Sequence, residues 1–214
     1  MKAIKSLIAE HQIIDRVAAA LDGYTERLRA GQPVEEADLA RFAQVFTDFA
    51  ECIHHEKEEN ILLPMLSRQG WSWDSGVLPA IRREHRQETY LIDVLRQAGE
   101  RAASWHSEDR RHIAAAAHGL VEFQQSHHRL ESTDLFPAVE SRLGEAQQGE
   151  LERAFVKFDR EHEQRRTAVL SLAEALIERY AAAPRLQPRP EPGAEVELPD
   201  DPEGSECSTN PAEL

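Results

Sequence analysis

A repeated segment constrains this chain more than any other feature. His54-His55-Glu56-Lys57-Glu58-Glu59-Asn60-Ile61-Leu62-Leu63-Pro64 returns 73 residues later as His127-His128-Arg129-Leu130-Glu131-Ser132-Thr133-Asp134-Leu135-Phe136-Pro137. A Glu-His pair also recurs, at Glu10-His11, Glu84-His85 and Glu161-His162. Repetition at a near-fixed period means that similar structural units are stacked against one another. The chain therefore alternates a single-histidine unit with a His-xxx-Glu unit and then begins a third.

The surrounding sequence makes these units helices. Ala, Leu, Glu, Gln and Arg dominate, and no stretch shows sustained period-two alternation. Five helices are expected, at about 2–30, 35–67, 75–102, 107–143 and 145–182, with Ser107 as a candidate N-cap. The breaks fall at Gly31-Gln32-Pro33, Gln69-Gly70, the Trp71–Asp74 loop and Gly144. Long helices with short connections predict an all-α, antiparallel up-down bundle: a four-helix core plus a fifth helix, over residues 1–183. Seven of the eleven prolines and eight acidic residues lie in 184–214, which has no apolar period and reads as a disordered acidic tail.

Composition removes several function classes. With 25 Lys+Arg against 39 Asp+Glu, the formal charge is −14, which argues against nucleic acid or an anionic membrane as partner. No apolar window reaches the length of a bilayer span, and the first residues lack the apolar run of a signal peptide, so a cytoplasmic location is expected. Cys52 and Cys207 are too few for a disulfide framework, and Cys52 reads as a small core residue.

The spacing inside each unit carries chemistry. Residues four apart on a helix share a face, so His54 with Glu58, and His127 with Glu131, converge one turn apart. An imidazole and a carboxylate so placed can hold one divalent ion, and the second carboxylate oxygen can reach another. Counting helical rise from the expected ends puts His11, His54, Glu58, His85, His127, Glu131 and His162 in one layer of the bundle. On helix one Ile4, Leu7 and Ile8 flank His11, and on helix five Phe155 and Phe158 flank His162; polar groups on such faces need partners. Helix two is ambiguous. Its stripe from Phe42 to Ile53 points nearer to His55/Glu59 than to His54/Glu58, whereas the repeat favours His54/Glu58 because Ser132 follows His128 by four. His55, His128 and Glu59 are expected behind the ligands or facing solvent, with His106, His112 and His118 on the surface or in packing.

These residues resemble the hemerythrin-like, or HHE cation-binding, family over about residues 1–145. Both His54-Glu58-Pro64 and His127-Glu131-Pro137 fit its His-xxx-Glu-xxxxx-Pro form. The pattern looks especially like bacterial di-iron proteins of iron–sulfur cluster repair. That resemblance implies two iron ions with His11, His54, His85 and His127 as terminal ligands and Glu58 and Glu131 as bridges. Hemerythrins take a further histidine from a His-xxx-His pair on helix three; here Thr89 stands in its place, leaving His162 to ligate or to stand behind the ligands. A ferritin-like site expects Glu-xx-His on two helices, and Gln124 breaks the second copy.

The expected function is binding or sensing of O2, NO or peroxide at a non-haem di-iron site, with zinc or manganese also suited to these ligands. The alternatives are an enzyme of oxidative or nitrosative stress defence, by peroxide or NO turnover or iron donation, and a metal-free helical adaptor whose acidic tail recruits a protein.

Overall fold

In the computed structural model, residues 1–101 and 105–180 are described. The chain forms α1 (Lys2–Arg29), α2 (Ala37–Val45), α3 (Leu63–Arg68), α4 (Val77–Gly99), α5 (Ser107–Leu130), α6 (Phe136–Arg142), α7 (Glu145–Glu161) and α8 (Glu163–Tyr180). Three π-helical stretches join these: π1 (Phe46–His55), π2 (Glu58–Leu62) and π3 (Glu131–Leu135). The expected all-α bundle is what forms, and the expected tail at 184–214 lies outside the described residues. No helix among the described residues is long and apolar enough to cross a membrane.

Two apolar clusters show how the rods run. One contains Ala3, Ile4, Leu7, Leu62, Leu66, Ile81, Phe136, Leu151 and Phe155. The other contains Ile14, Leu21, Tyr24, Phe42, Phe49, Ile92, Leu95, Ile113, Leu120, Val169 and Tyr180. Thus α1 starts in the first cluster and ends in the second, the α2–α3 rod returns, α4 goes back, and α5 returns again. Successive rods alternate in direction, as their short connections require. The helix α8 lies against α1 and α2, closing that side of the bundle.

Two sequence expectations change. The fourth helix is capped by His106, whose N–H is accepted by Asp109 Oδ2 at 3.0 Å, so the cap lies one residue before Ser107. The fifth helix is interrupted at His162. Its Nδ1 donates to the Phe158 carbonyl at 2.9 Å and its ring stacks on Phe158 at 4.0 Å, a side chain intruding on the backbone ladder.

Two of the π stretches, π2 and π3, follow from the repeat itself. Pro64 and Pro137 have no N–H, and each ring would collide with the carbonyl four residues back in a regular α-helix. Instead the turn before each proline widens: the Leu63 N–H reaches the Glu58 carbonyl, and the Phe136 N–H reaches that of Glu131. Both wide turns begin at the glutamate of a His-xxx-Glu motif. Such wide turns inside α-helices are rare and concentrate at functional sites.

Candidate metal centre

Between the two apolar clusters lies a layer of buried polar side chains. His11, His54, His55, His85, His127 and His128 are at most 6 % exposed, and Glu58 and Glu131 are fully buried. They form two sets. His11, His54 and His128 make one and His55, His85 and His127 the other, while Glu58 and Glu131 group with members of both. Within each group the nitrogen and oxygen atoms lie within 4.8 Å of one another.

Each doubled histidine therefore gives one imidazole to each set. Neighbours on a helix point about 100° apart, so a rod facing the midline of the site can address both sides. The structure brings together six of the seven sequence-predicted residues: His11, His54, Glu58, His85, His127 and Glu131. It does not bring His162, which is half-buried on the α7–α8 break and held by Phe158. In its place stand His55 and His128. The signal for them was in the sequence, because the histidine is doubled in both copies of the repeat and the helix-two stripe pointed toward His55. On helix two π1 runs through that stripe and carries both His54 and His55, whereas His127 and His128 face inward from the regular α5.

The Nδ1 sides of these rings are tied back to carboxylates. His54 Nδ1 donates to Glu10 Oε2 (3.3 Å), His85 to Glu59 Oε1 (2.7 Å), His127 to Glu84 Oε2 (2.8 Å) and His128 to Asp15 Oδ1 (2.8 Å). Glu59, expected behind the ligands or facing solvent, lies behind His85. A carboxylate on the outer nitrogen fixes ring orientation and raises the basicity of the inner one. His118 is half-buried, while His106 and His112 are exposed.

Most of the inner atoms lack a hydrogen bond, with carboxylate contacts of only 3.4–3.5 Å joining His85 to Glu58, His55 to Glu88 and His127 to Glu131. Nε2 of His55, His85, His127 and His128, and both carboxylate oxygens of Glu58 and Glu131, are buried without a hydrogen bond, save a proton that the two glutamates can share. His11 Nε2 and His54 Nε2 face each other at 3.0 Å. Glu131 Oε2 lies 2.9 Å from His11 Nε2, off the line that a hydrogen bond needs. Unmet buried polar groups cost ~1–3 kcal/mol each, so such a concentration is the mark of a missing partner. Six imidazole nitrogens and two carboxylates fit divalent transition ions.

Charge in the layer follows from burial and proximity. Burial pushes His11 and His128 down to about 4, and holds His54 and His55 well below the usual imidazole value, leaving neutral rings with free lone pairs. His85 goes the other way: burial opposes its charge, but the Glu58 carboxylate 3.4 Å from its Nε2 and the Glu59 carboxylate bonded to its Nδ1 outweigh it and raise the ring to about 10. Burial and the neighbouring Glu58 charge raise Glu131 well above the carboxylate range. Glu58 stays below that range, because the histidines around it outweigh its burial. Two carboxylates in one dry site cannot both ionise freely. Burial also pushes Glu88, beside His55 and bonded by Gln124, up to about 8.

Comparison with known proteins bears on this centre. The family model described as Hemerythrin HHE cation binding domain matches residues 76–195, more than half of the chain. The chain belongs to this hemerythrin HHE family. The match runs through α4, α5, π3 and α6–α8, and so includes the second repeat, whereas the resemblance read from the motifs covered residues 1–145. Among curated proteins, uncharacterized protein Mb2018 of Mycobacterium bovis and uncharacterized protein Rv1995 of Mycobacterium tuberculosis are each 26 % identical over 137 residues. Those alignments cover 64 % of this chain and 53 % of each relative, so the chain spans about half the length of the curated relatives it matches. No solved structure matches the chain. A hemerythrin HHE chain with these His/Glu groups is a metal-binding helical protein.

Proposed function

We propose that this protein holds two iron ions in the polar layer and binds O2, NO or peroxide there. One position is served by His11, His54 and His128, the other by His55, His85 and His127, with Glu58 and Glu131 shared between them. The observation that carries this reading is the orphaned set of inner atoms: four imidazole nitrogens and four carboxylate oxygens, buried together and aimed at the same small space. Iron is chosen on family likeness, since zinc and manganese suit the same donors.

Bound iron would supply reversible affinity for a small diatomic or peroxide ligand. Everything else is done by the chain. The carboxylates behind His54, His85, His127 and His128 keep the rings turned with Nε2 inward. Phe136 stacks beside His11 at 5.4 Å and Phe123 beside His127 at 6.1 Å, adding apolar walls. The two apolar clusters above and below the layer exclude water and lower the local dielectric. Six neutral-type donors and only two carboxylates make the site less anionic than a carboxylate-rich one, which suits ferrous iron and reversible binding over hard oxidising chemistry.

The test is an absorption spectrum of anaerobically iron-loaded protein before and after O2 or NO, then after removal of the gas. Bands that appear and then vanish support binding; a spectrum indifferent to both gases refutes it. Steady-state peroxide and NO assays on the same sample separate a binder or sensor from an enzyme of stress defence, including the iron-donating role of cluster-repair proteins.

A further inference from the structure

The repeat makes the two halves of the site near-copies, so any departure from the copy stands out. His11 corresponds to His85, His54 to His127, and Glu10, behind His54, to Glu84, behind His127. The match fails at Lys57, whose counterpart 73 residues later is Leu130. Lys57 is fully buried, and a buried ammonium requires close counter-charges. It finds them in Glu10 Oε1 at 2.5 Å and Asp159 Oδ1 at 3.1 Å. Arg166 of α8 adds a second cation on the same Glu10 oxygen at 2.7 Å. Both Asp159 and Arg166 come from the α7–α8 rod, outside the four rods that carry the histidines.

Glu10 is therefore shared between two cations and one imidazole. Its contact with His54 Nδ1 is 3.3 Å, whereas the matching Glu84–His127 contact is 2.8 Å. A carboxylate drained by two cations strengthens its histidine less, and a buried positive charge beside that histidine opposes a second cation in front of it. Asp15, behind His128 in the same set at 2.8 Å, is half exposed, so solvent screens its charge.

We propose that Lys57 and Arg166, acting through Glu10, make the position served by His11, His54 and His128 the weaker of the two, so that it fills second and empties first. The α7–α8 rod thereby governs the occupancy of one ion position and not the other. This rests on the two-ion reading above. Lys57, Arg166 and Glu10 are positioning residues here.

The test is a zinc(II) titration of the metal-free full chain, followed by calorimetry and by NMR correlations of the imidazole nitrogens. The first equivalent should move His55, His85 and His127, and the second should move His11, His54 and His128 with at least tenfold lower affinity. Lys57→Met should tighten the second step about tenfold and leave the first within twofold. Arg166→Gln, at a partly exposed side chain, should tighten the same step by a smaller factor and gives the answer if Lys57→Met does not fold. A first equivalent spread over both sets, or variants that shift both steps alike, would overturn the ordering. Uptake of fewer than two zinc ions would overturn the two-ion reading and the ordering with it.

Discussion

Replacing Glu131 by leucine should change stability in opposite directions with and without metal. Glu131 is fully buried, and its two oxygens form no hydrogen bond beyond a proton shared with Glu58. Removing two such atoms recovers ~1–3 kcal/mol for each one left unmet. The shared proton and the bulkier, differently branched leucine side chain take back part of that, so a net gain of about 2 kcal/mol is expected in the metal-free protein. At roughly 2–4 °C per kcal/mol for a domain of this size, the melting midpoint should rise by about 4–8 °C. With metal the sign should reverse, because Glu131 belongs to both mixed His/Glu groups that could hold an ion. An ion present at a hundred times its dissociation constant stabilises the wild type by ~2.7 kcal/mol, and the variant forfeits most of that. Scanning calorimetry on both proteins, with chelator and with zinc(II), reads the four midpoints. A variant that melts lower than wild type in chelator, or that keeps the wild-type gain with zinc, refutes the reasoning.

Three further outcomes are expected. His54→Ala, His55→Ala and His128→Ala should each cost about one ion per chain, while His162→Ala should leave metal content unchanged; elemental analysis of the four variants decides. Asp38 accepts from Arg41 (2.6 Å), Arg179 (2.5 Å) and Tyr180 (2.6 Å), pinning the end of α8 to α2. Burial opposes its charge, but those hydrogen bonds outweigh it and hold the carboxyl below its ordinary 3.8; this stability is present above about pH 4 and lost as pH falls through the folded-state value, so urea midpoints should drop in that window for wild type and stay flatter for Asp38→Asn. Gly99→Leu should destabilise by several kcal/mol, since even a Cβ there would come within 2.6 Å of the Ala40 backbone N and a larger side chain cannot be placed against α2; a chemical-denaturation curve measures the loss.

Much of this was legible before any coordinates. Helical composition, Gly and Pro punctuation and the absence of period-two alternation carried the all-α bundle, and the repeat carried His11, His54, Glu58, His85, His127 and Glu131 into one layer. Two things were not legible. His162 sits in a Glu-His pair like the others, but its ring bonds to its own helix at Phe158 instead of crossing to the layer, a local competition that periodicity does not record. His55 and His128 fall outside the expected ligands because Ser132, four residues after His128, breaks a second His-xxx-Glu pair, and the repeat outweighs the helix-two stripe that points toward His55/Glu59. The doubling of the histidine in both copies held the clue, since neighbours about 100° apart on a rod that faces the midline can each address one side of the layer.

The measurement that bears most directly on the account is the metal content of the purified chain, with its melting midpoint before and after chelation. Two ions per chain and a midpoint that falls by several degrees on chelation, then recovers when metal is restored, are the predicted result. A chain that carries no stoichiometric metal and melts identically with and without chelator would show that the buried imidazoles and carboxylates do not grip ions.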